Sequence, residues 1–165
     1  MEQVVRILFV EDLPADVRRA EHQLNTAGVL FKSLTAGTEA GFRQALVEYQ
    51  PDLVISNCAL LEFDGMRALQ ISLEHDAPTP TIILVNPTDE ETAVSYIQAG
   101  AAACVPKNDL GRLPRAVRRA VRQKQERDAR EYADQALCER EQRFRRLVEN
   151  AQDIVFRVRL RPRIG

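Results

Sequence analysis

Five short apolar segments alternate with five stretches of helical spacing, and this alternation constrains the fold more than any other feature of the chain. Residues 4–10, 30–35, 53–57, 81–85 and 102–105 are rich in Val, Ile, Leu and Phe and read as strands. Several are apolar throughout, as strands covered on both faces must be. Between them run helices with legible ends. Pro14 opens the first, Val17, Ala20, Leu24 and Ala27 recur at helical spacing, and Gly28 stops it. Thr38 is placed to cap a second that carries Phe42, Ala45, Leu46 and Tyr49, with Pro51 ending it. Asp64-Gly65 turns into a third bearing Met66, Leu69, Ile71 and Leu73. A fourth covers residues 90–99 and stops at Gly100, and a fifth begins near residues 110–114. Right-handed crossovers then give an α/β fold, a five-stranded parallel doubly wound sheet.

Beyond Pro114 the character changes. No Gly or Pro interrupts residues 115–152, so the spacing predicts a long C-terminal helical extension, either one helix or two joined at the polar stretch 122–128. Its apolar seam (Val117, Ala120, Val121, then Ala129, Tyr132, Ala133, Ala136, Leu137) is too thin to stabilise it alone. Two readings stand: a homodimer paired through this C-terminal helix as a coiled coil, or a solvated connector.

In doubly wound sheets ligands sit beyond the carboxyl ends of the strands. Those ends carry Glu11 and Asp12, then Asn57, then Val85 and Asn86, and finally Lys107. Taken singly these are weak signals: an acidic pair after a strand is usually a solvated turn, and a lone lysine a surface residue. In this order they resemble the receiver domain of two-component response regulators. The resemblance covers residues 5–120 and rests on Ile7-Leu8-Phe9-Val10-Glu11-Asp12, Pro51-Asp52-Leu53-Val54-Ile55-Ser56-Asn57 with Asp64-Gly65, the run 80–85, and 100–107 ending in Pro106-Lys107. It implies the same sheet in its flavodoxin-like form. Residues 141–156 resemble the opening of a PAS domain, which gives a receiver-like domain at 1–122, a helical linker at 123–142 and the truncated start of a PAS domain at 143–165.

The resemblance implies site roles residue by residue. Glu11 and Asp12 stand in the acidic pocket, Asn57 at the phosphoacceptor, Val85 at the hydroxyl position, Lys107 at the phosphate-facing lysine and Cys104 at the aromatic switch. Three of these depart from the family pattern. The Asn57 amide has a delocalised nitrogen lone pair and no carboxylate oxygen to attack phosphorus. Val85 offers a phosphoryl group no hydrogen bond. Cys104 is too small to swing as an aromatic ring does. With one negative charge fewer, Glu11 and Asp12 would make a weak Mg²⁺ site at most, and no other cofactor is expected. Lys107 is expected to pair with Glu11 and Asp12.

The implied function is a signalling interaction module, a pseudo-receiver lacking the phosphoacceptor aspartate and not an enzyme. Its expected partners are a histidine kinase or a downstream signalling domain. The alternative is a conventional phosphorylatable receiver carrying an Asp-to-Asn replacement at position 57, which would leave Val85 and Cys104 without an account. A nucleotide-binding enzyme is disfavoured because Glu11-Asp12-Leu13-Pro14 provides no glycine-rich phosphate cradle. A formal net charge of −1 gives no general attraction to nucleic acid, and the Arg-rich run 112–127 has no interleaved aromatics, so no direct nucleic-acid contact is expected. Three scattered cysteines without metal spacing fit a reducing cytoplasm. No apolar run approaches the roughly 20 residues that span a bilayer, so no membrane contact is expected.

Overall fold

The computed structural model describes residues 3–60, 63–75 and 78–159, with side chains through residue 151. In chain order the elements are β1 (Val5–Val10), α1 (Pro14–Thr26), β2 (Phe31–Ala36), α2 (Glu39–Glu48), β3 (Leu53–Asn57) and α3 (Gly65–Glu74). They continue with β4 (Thr81–Val85), α4 (Glu90–Gln98), β5 (Ala103–Pro106), a 3₁₀ turn (Leu110–Arg112) and α5 (Leu113–Arg159). The strands form one parallel sheet in the order β2-β1-β3-β4-β5. This is the doubly wound, flavodoxin-like arrangement with a long C-terminal helix.

Side-chain alternation divides the core. Ile7 and Phe9 of β1, Leu53 and Ile55 of β3, and Ile82 and Leu84 of β4 pack against Leu24 of α1 and Leu113 and Val117 of α5. The intervening residues face the other way. Leu8, Val10 and Val54 meet Phe42 and Leu46 of α2 and Ile71 of α3, while Ile83 and Val85 meet Leu69 of α3 and Tyr96 of α4. The central strands β3 and β4 are buried at every position, because helices cover both faces. Edge strand β2 is exposed at four of its six positions and places Lys32 and Ser33 there, which blunts the edge against pairing with another chain.

Helix ends follow local chemistry. Pro14 sits in the first turn of α1, where its missing N–H costs nothing. The side chains of Thr38, Asp64 and Asp89 accept hydrogen bonds from Gly41 N–H (3.1 Å), Arg67 N–H (2.6 Å) and Thr92 N–H (3.2 Å), capping α2, α3 and α4. Gly28 (φ 76°) and Gly100 (φ 112°) turn the chain after α1 and α4 through the left-handed region. Helix α2 stops at Glu48, and Gln50 takes a positive φ of 50° before Pro51. β5 lies one residue later than its apolar run predicts and includes Pro106, which an edge strand tolerates.

The polar stretch 122–128 does not break α5, which runs as one helix to Arg159. The chain divides into two compact units, Met1–Lys124 and Gln125–Gly165. Every residue from Gln125 to Ala151 is exposed. Of the segment 143–165, residues through Arg159 continue the helix, and 160–165 lie outside the described residues. Among the described residues no helix is long and apolar enough to cross a membrane.

Candidate functional site

The parallel register brings the strand ends together. Val10 of β1 pairs with Ser56 of β3, so Glu11 and Asn57 leave adjacent strands side by side. Asn57 pairs with Leu84 of β4 and Val85 with Pro106 of β5. Lys107 N–H then donates to Val85 C=O at 2.9 Å, one step beyond the sheet. With about 4.8 Å between neighbouring strands, the backbones at Asn57 and Lys107 stand roughly 10 Å apart across β4.

Asn57 is buried, at 5 % exposure. Its Oδ1 accepts a hydrogen bond from Ala59 N–H at 3.2 Å, so the amide holds its own loop in a local turn. Glu11 is also buried, at 6 %. Its Oε1 accepts from Asp12 N–H (2.9 Å) and Leu13 N–H (3.2 Å). Its Oε2 is buried and accepts no hydrogen bond among the described residues. An orphaned buried carboxylate oxygen, on the residue that leaves β1 alongside Asn57 of β3, is a hard donor of the kind that fits a small divalent cation. No cluster of three His, Cys, Asp or Glu occurs among the described residues, so the remaining ligands of such an ion would be neutral oxygens and water.

Lys107 does not make the expected pair. Among the described residues no ion pair joins it to Glu11 or Asp12. Lys107 follows the end of β5 and lines a recess against α1.

Val85 and Cys104 face the opposite side and share one cluster. Val85 is 4 % exposed. The half-buried Cys104 lies with its Sγ 3.5 Å from Ala93 C=O of α4. Burial, with the nearby Cys58 thiol adding to it, pushes the Cys104 thiol up to about 11. Such a thiol stays protonated near neutrality and is a poor nucleophile.

Two residues that sequence reading left without a role complete this side. Tyr96 is the buried residue of α4, and its hydroxyl donates to Cys58 C=O at 3.3 Å. It therefore ties α4 to the loop just past Asn57. Burial first, and the neighbouring Cys58 thiol second, push its hydroxyl up to about 12, so it remains a neutral donor. Gly65, read only as a turn residue, allows the approach. A Cβ there would lie 2.7 Å from Asn57 O and 2.9 Å from Tyr96 Oη. The available signal was the helical spacing of Tyr96 with Ala93 and Gly100, which marks an inward face but not its target.

The response regulator receiver domain family matches residues 7–118. The chain belongs to that family. It is 33 % identical over 124 residues to the regulatory protein AtoC of Escherichia coli, covering 73 % of this chain and 26 % of AtoC. It is also 33 % identical over 118 residues to the transcriptional regulatory protein KdpE of Mycobacterium tuberculosis, covering 68 % of this chain and 51 % of KdpE. The chain thus spans between a quarter and about half of these relatives. Among solved structures, the signal receiver domain of a LuxO repressor protein from Vibrio parahaemolyticus superposes with a TM-score of 0.67 at 23 % identity, over 77 % of this chain and 97 % of that one.

Proposed function

We propose that this receiver takes no phosphoryl group at Asn57 and acts as an interaction module in two-component signalling. The observation that carries the reading is the Asn57 side chain. It is an amide, it is buried, and its oxygen is engaged by Ala59 N–H. An amide oxygen so placed has neither the charge nor the freedom to attack a phosphoryl donor. Phosphoryl transfer depends on positioned nucleophile and charge neutralisation, and this rim lacks the first.

The opposite wall supports the same reading. Val85 brings no hydroxyl to a phosphoryl oxygen, and Cys104 is held against α4 by packing. The aromatic of this cluster comes from α4 instead, as Tyr96, and its hydrogen bond to Cys58 C=O fixes α4 in one arrangement. A receiver built this way presents a constant face to its partner. Signal then enters through whatever biases partner contact, because an equilibrium moves only by differential interaction with its two states.

Glu11 Oε2, the Asp12 carboxylate and Asn57 Oδ1 are the groups that would hold Mg²⁺, weakly, because one ligand is neutral. When bound, the ion supplies positive charge that balances the acidic rim. In this reading the domain catalyses no reaction, and its partners are a histidine kinase or a downstream signalling domain. It lies in the cytoplasm, in keeping with three free thiols. Residues 123–142 serve as a linker and 143–165 as the front of a PAS domain. The helical extension pairs with a second copy. Leu137, Phe144 and Ala151 recur at seven residues, with Ala133 and Leu147 at the intervening positions, and Leu137, Phe144 and Leu147 are all exposed.

Incubation with acetyl phosphate and Mg²⁺, followed by intact-mass analysis, tests the reading. The native chain is expected to gain no phosphoryl mass, and Asn57→Asp to gain little, because Val85 remains. Stoichiometric labelling of the native chain overturns the proposal. Full, stable labelling of Asn57→Asp alone identifies an ordinary receiver with a replaced acceptor.

A further inference from the structure

The geometry points to a second site in this receiver: the recess between α1 and the β5–α5 turn, which we propose binds a small molecule through a pyrophosphate or a pair of neighbouring phosphates. The recess has a volume of about 610 Å³, well within the range of small-molecule sites. Arg18, Arg19 and His22 line one wall from α1, and Lys107 and Asp109 line the other.

The charge balance of these walls is one-sided. Asp109 is the acidic lining residue, and Arg112 Nε already engages it at 2.9 Å. Arg19 leans toward Asp16 at 3.7 Å. Among the described residues no hydrogen bond or ion pair of the Arg18 or Lys107 side chain is found. Two unneutralised cations therefore line the recess, one from each wall, with Arg19 beside them. This crowding occurs on a chain whose formal net charge is −1, so it does not follow from a generally basic surface.

Multivalent phosphate matches this wall chemically. An arginine fork takes two oxygens of one phosphate, and a lysine ammonium serves a second as a compact point charge. A single carboxylate would leave at least one cation unrelieved. Arg18 and His22 are four residues apart and share one helix face, so both reach into the recess from a rigid element. Lys107 is held by its backbone bond to β4. The inference uses Lys107 but not the state of Asn57, and it stands whether or not that residue accepts a phosphoryl group.

The test is isothermal titration of the full chain with inorganic pyrophosphate in divalent-free buffer, with sulfate at matched ionic strength as control. Saturable one-to-one binding at least ten-fold tighter than sulfate is expected. Arg18→Ala and Lys107→Ala should each weaken it about ten-fold, while Arg115→Ala on the exposed basic run of α5 leaves it unchanged. Unaltered thermal midpoints of these surface variants separate lost binding from lost folding. A nucleoside diphosphate that binds another ten-fold tighter says that base and sugar fill the rest of the recess; equal affinity says that the phosphates alone are read. Non-saturable binding shared with sulfate, or binding lost only with Arg115, overturns the proposal. An acidic protein segment that binds here while pyrophosphate does not also overturns it.

Discussion

At Gly65 and Tyr96 the packing leaves no slack, and single atoms have measurable consequences. A methyl group at Gly65 would meet the Asn57 carbonyl oxygen, which is backbone and cannot turn aside. Gly65→Ala should therefore destabilise by about 1–3 kcal/mol, the range for overpacking a closed site, and lower the thermal midpoint by roughly 2–4 °C per kcal/mol. Differential scanning calorimetry reads this directly. Tyr96→Phe keeps the ring and loses the hydrogen bond to Cys58 C=O, with an expected cost of about 1 kcal/mol. The same hydroxyl predicts an alkaline dependence. Its folded pKa of about 12 lies above the ordinary 10, so the fold favours the neutral phenol. The stabilisation is complete below pH 10 and is lost as pH rises from 10 toward 12. Urea unfolding across that window should show a steeper loss for the native chain than for Tyr96→Phe.

Helices α2 and α3 are joined through one carboxylate. Glu39 Oε1 lies 3.0 Å from Arg43 Nη2, one turn along α2, and 3.3 Å from Arg67 Nη2 on α3. The hydrogen bond from Arg43, and next that from Arg67, hold its carboxyl below the usual carboxylate range. A lowered folded pKa means that the contribution is present above the ordinary value of 4.5 and disappears as pH falls through the folded value. The group is exposed, so the effect is small. Glu39→Gln should flatten the acid limb of a urea-midpoint against pH curve and leave the neutral midpoint nearly unchanged. At the start of the same helix, Thr38→Ala removes the cap on Gly41 N–H and should cost about 1 kcal/mol by chemical denaturation. A midpoint unaffected by Thr38→Ala would mean that packing through Phe42 and Leu46 alone fixes where α2 begins.

For the molecule as a whole, the proposed pairing of α5 predicts its association state. Residues 125–151 of α5 are all exposed, and an exposed helix gains little from burial. The proposed pairing would supply what propensity cannot, with the exposed Leu137, Phe144 and Leu147 as the residues it covers. Arg140 falls at an interior position of the same repeat, which weakens a pair while restricting its register. Sedimentation equilibrium should show a dimer, and Leu137→Glu with Leu147→Glu should make it a monomer with reduced helicity. A native chain that stays monomeric at high concentration with full helicity would remove pairing from the proposed function.

Much of this protein was legible in one dimension because the determining signals are local. Apolar runs of the right length, Pro14, Thr38, Gly28 and Gly100 mark where elements start and stop, and their alternation selects a parallel sheet. That selection puts Glu11, Asp12, Asn57 and Lys107 at one rim, since parallel strands all end on the same side. Other features depended on which face a residue joins and what stands opposite, and no sequence window holds both. Tyr96 finds Cys58 across 38 positions of chain. Gly65 is required by a carbonyl and a hydroxyl from two other elements. Lys107 shares the rim with the carboxylates, yet among the described residues it forms no ion pair with Glu11 or Asp12 and lines a recess against α1. The sequence by itself determined the elements, their order and the chemistry at the strand ends; only the tertiary structure decided which of those groups touch, because contact is set by register and packing between segments far apart in the chain.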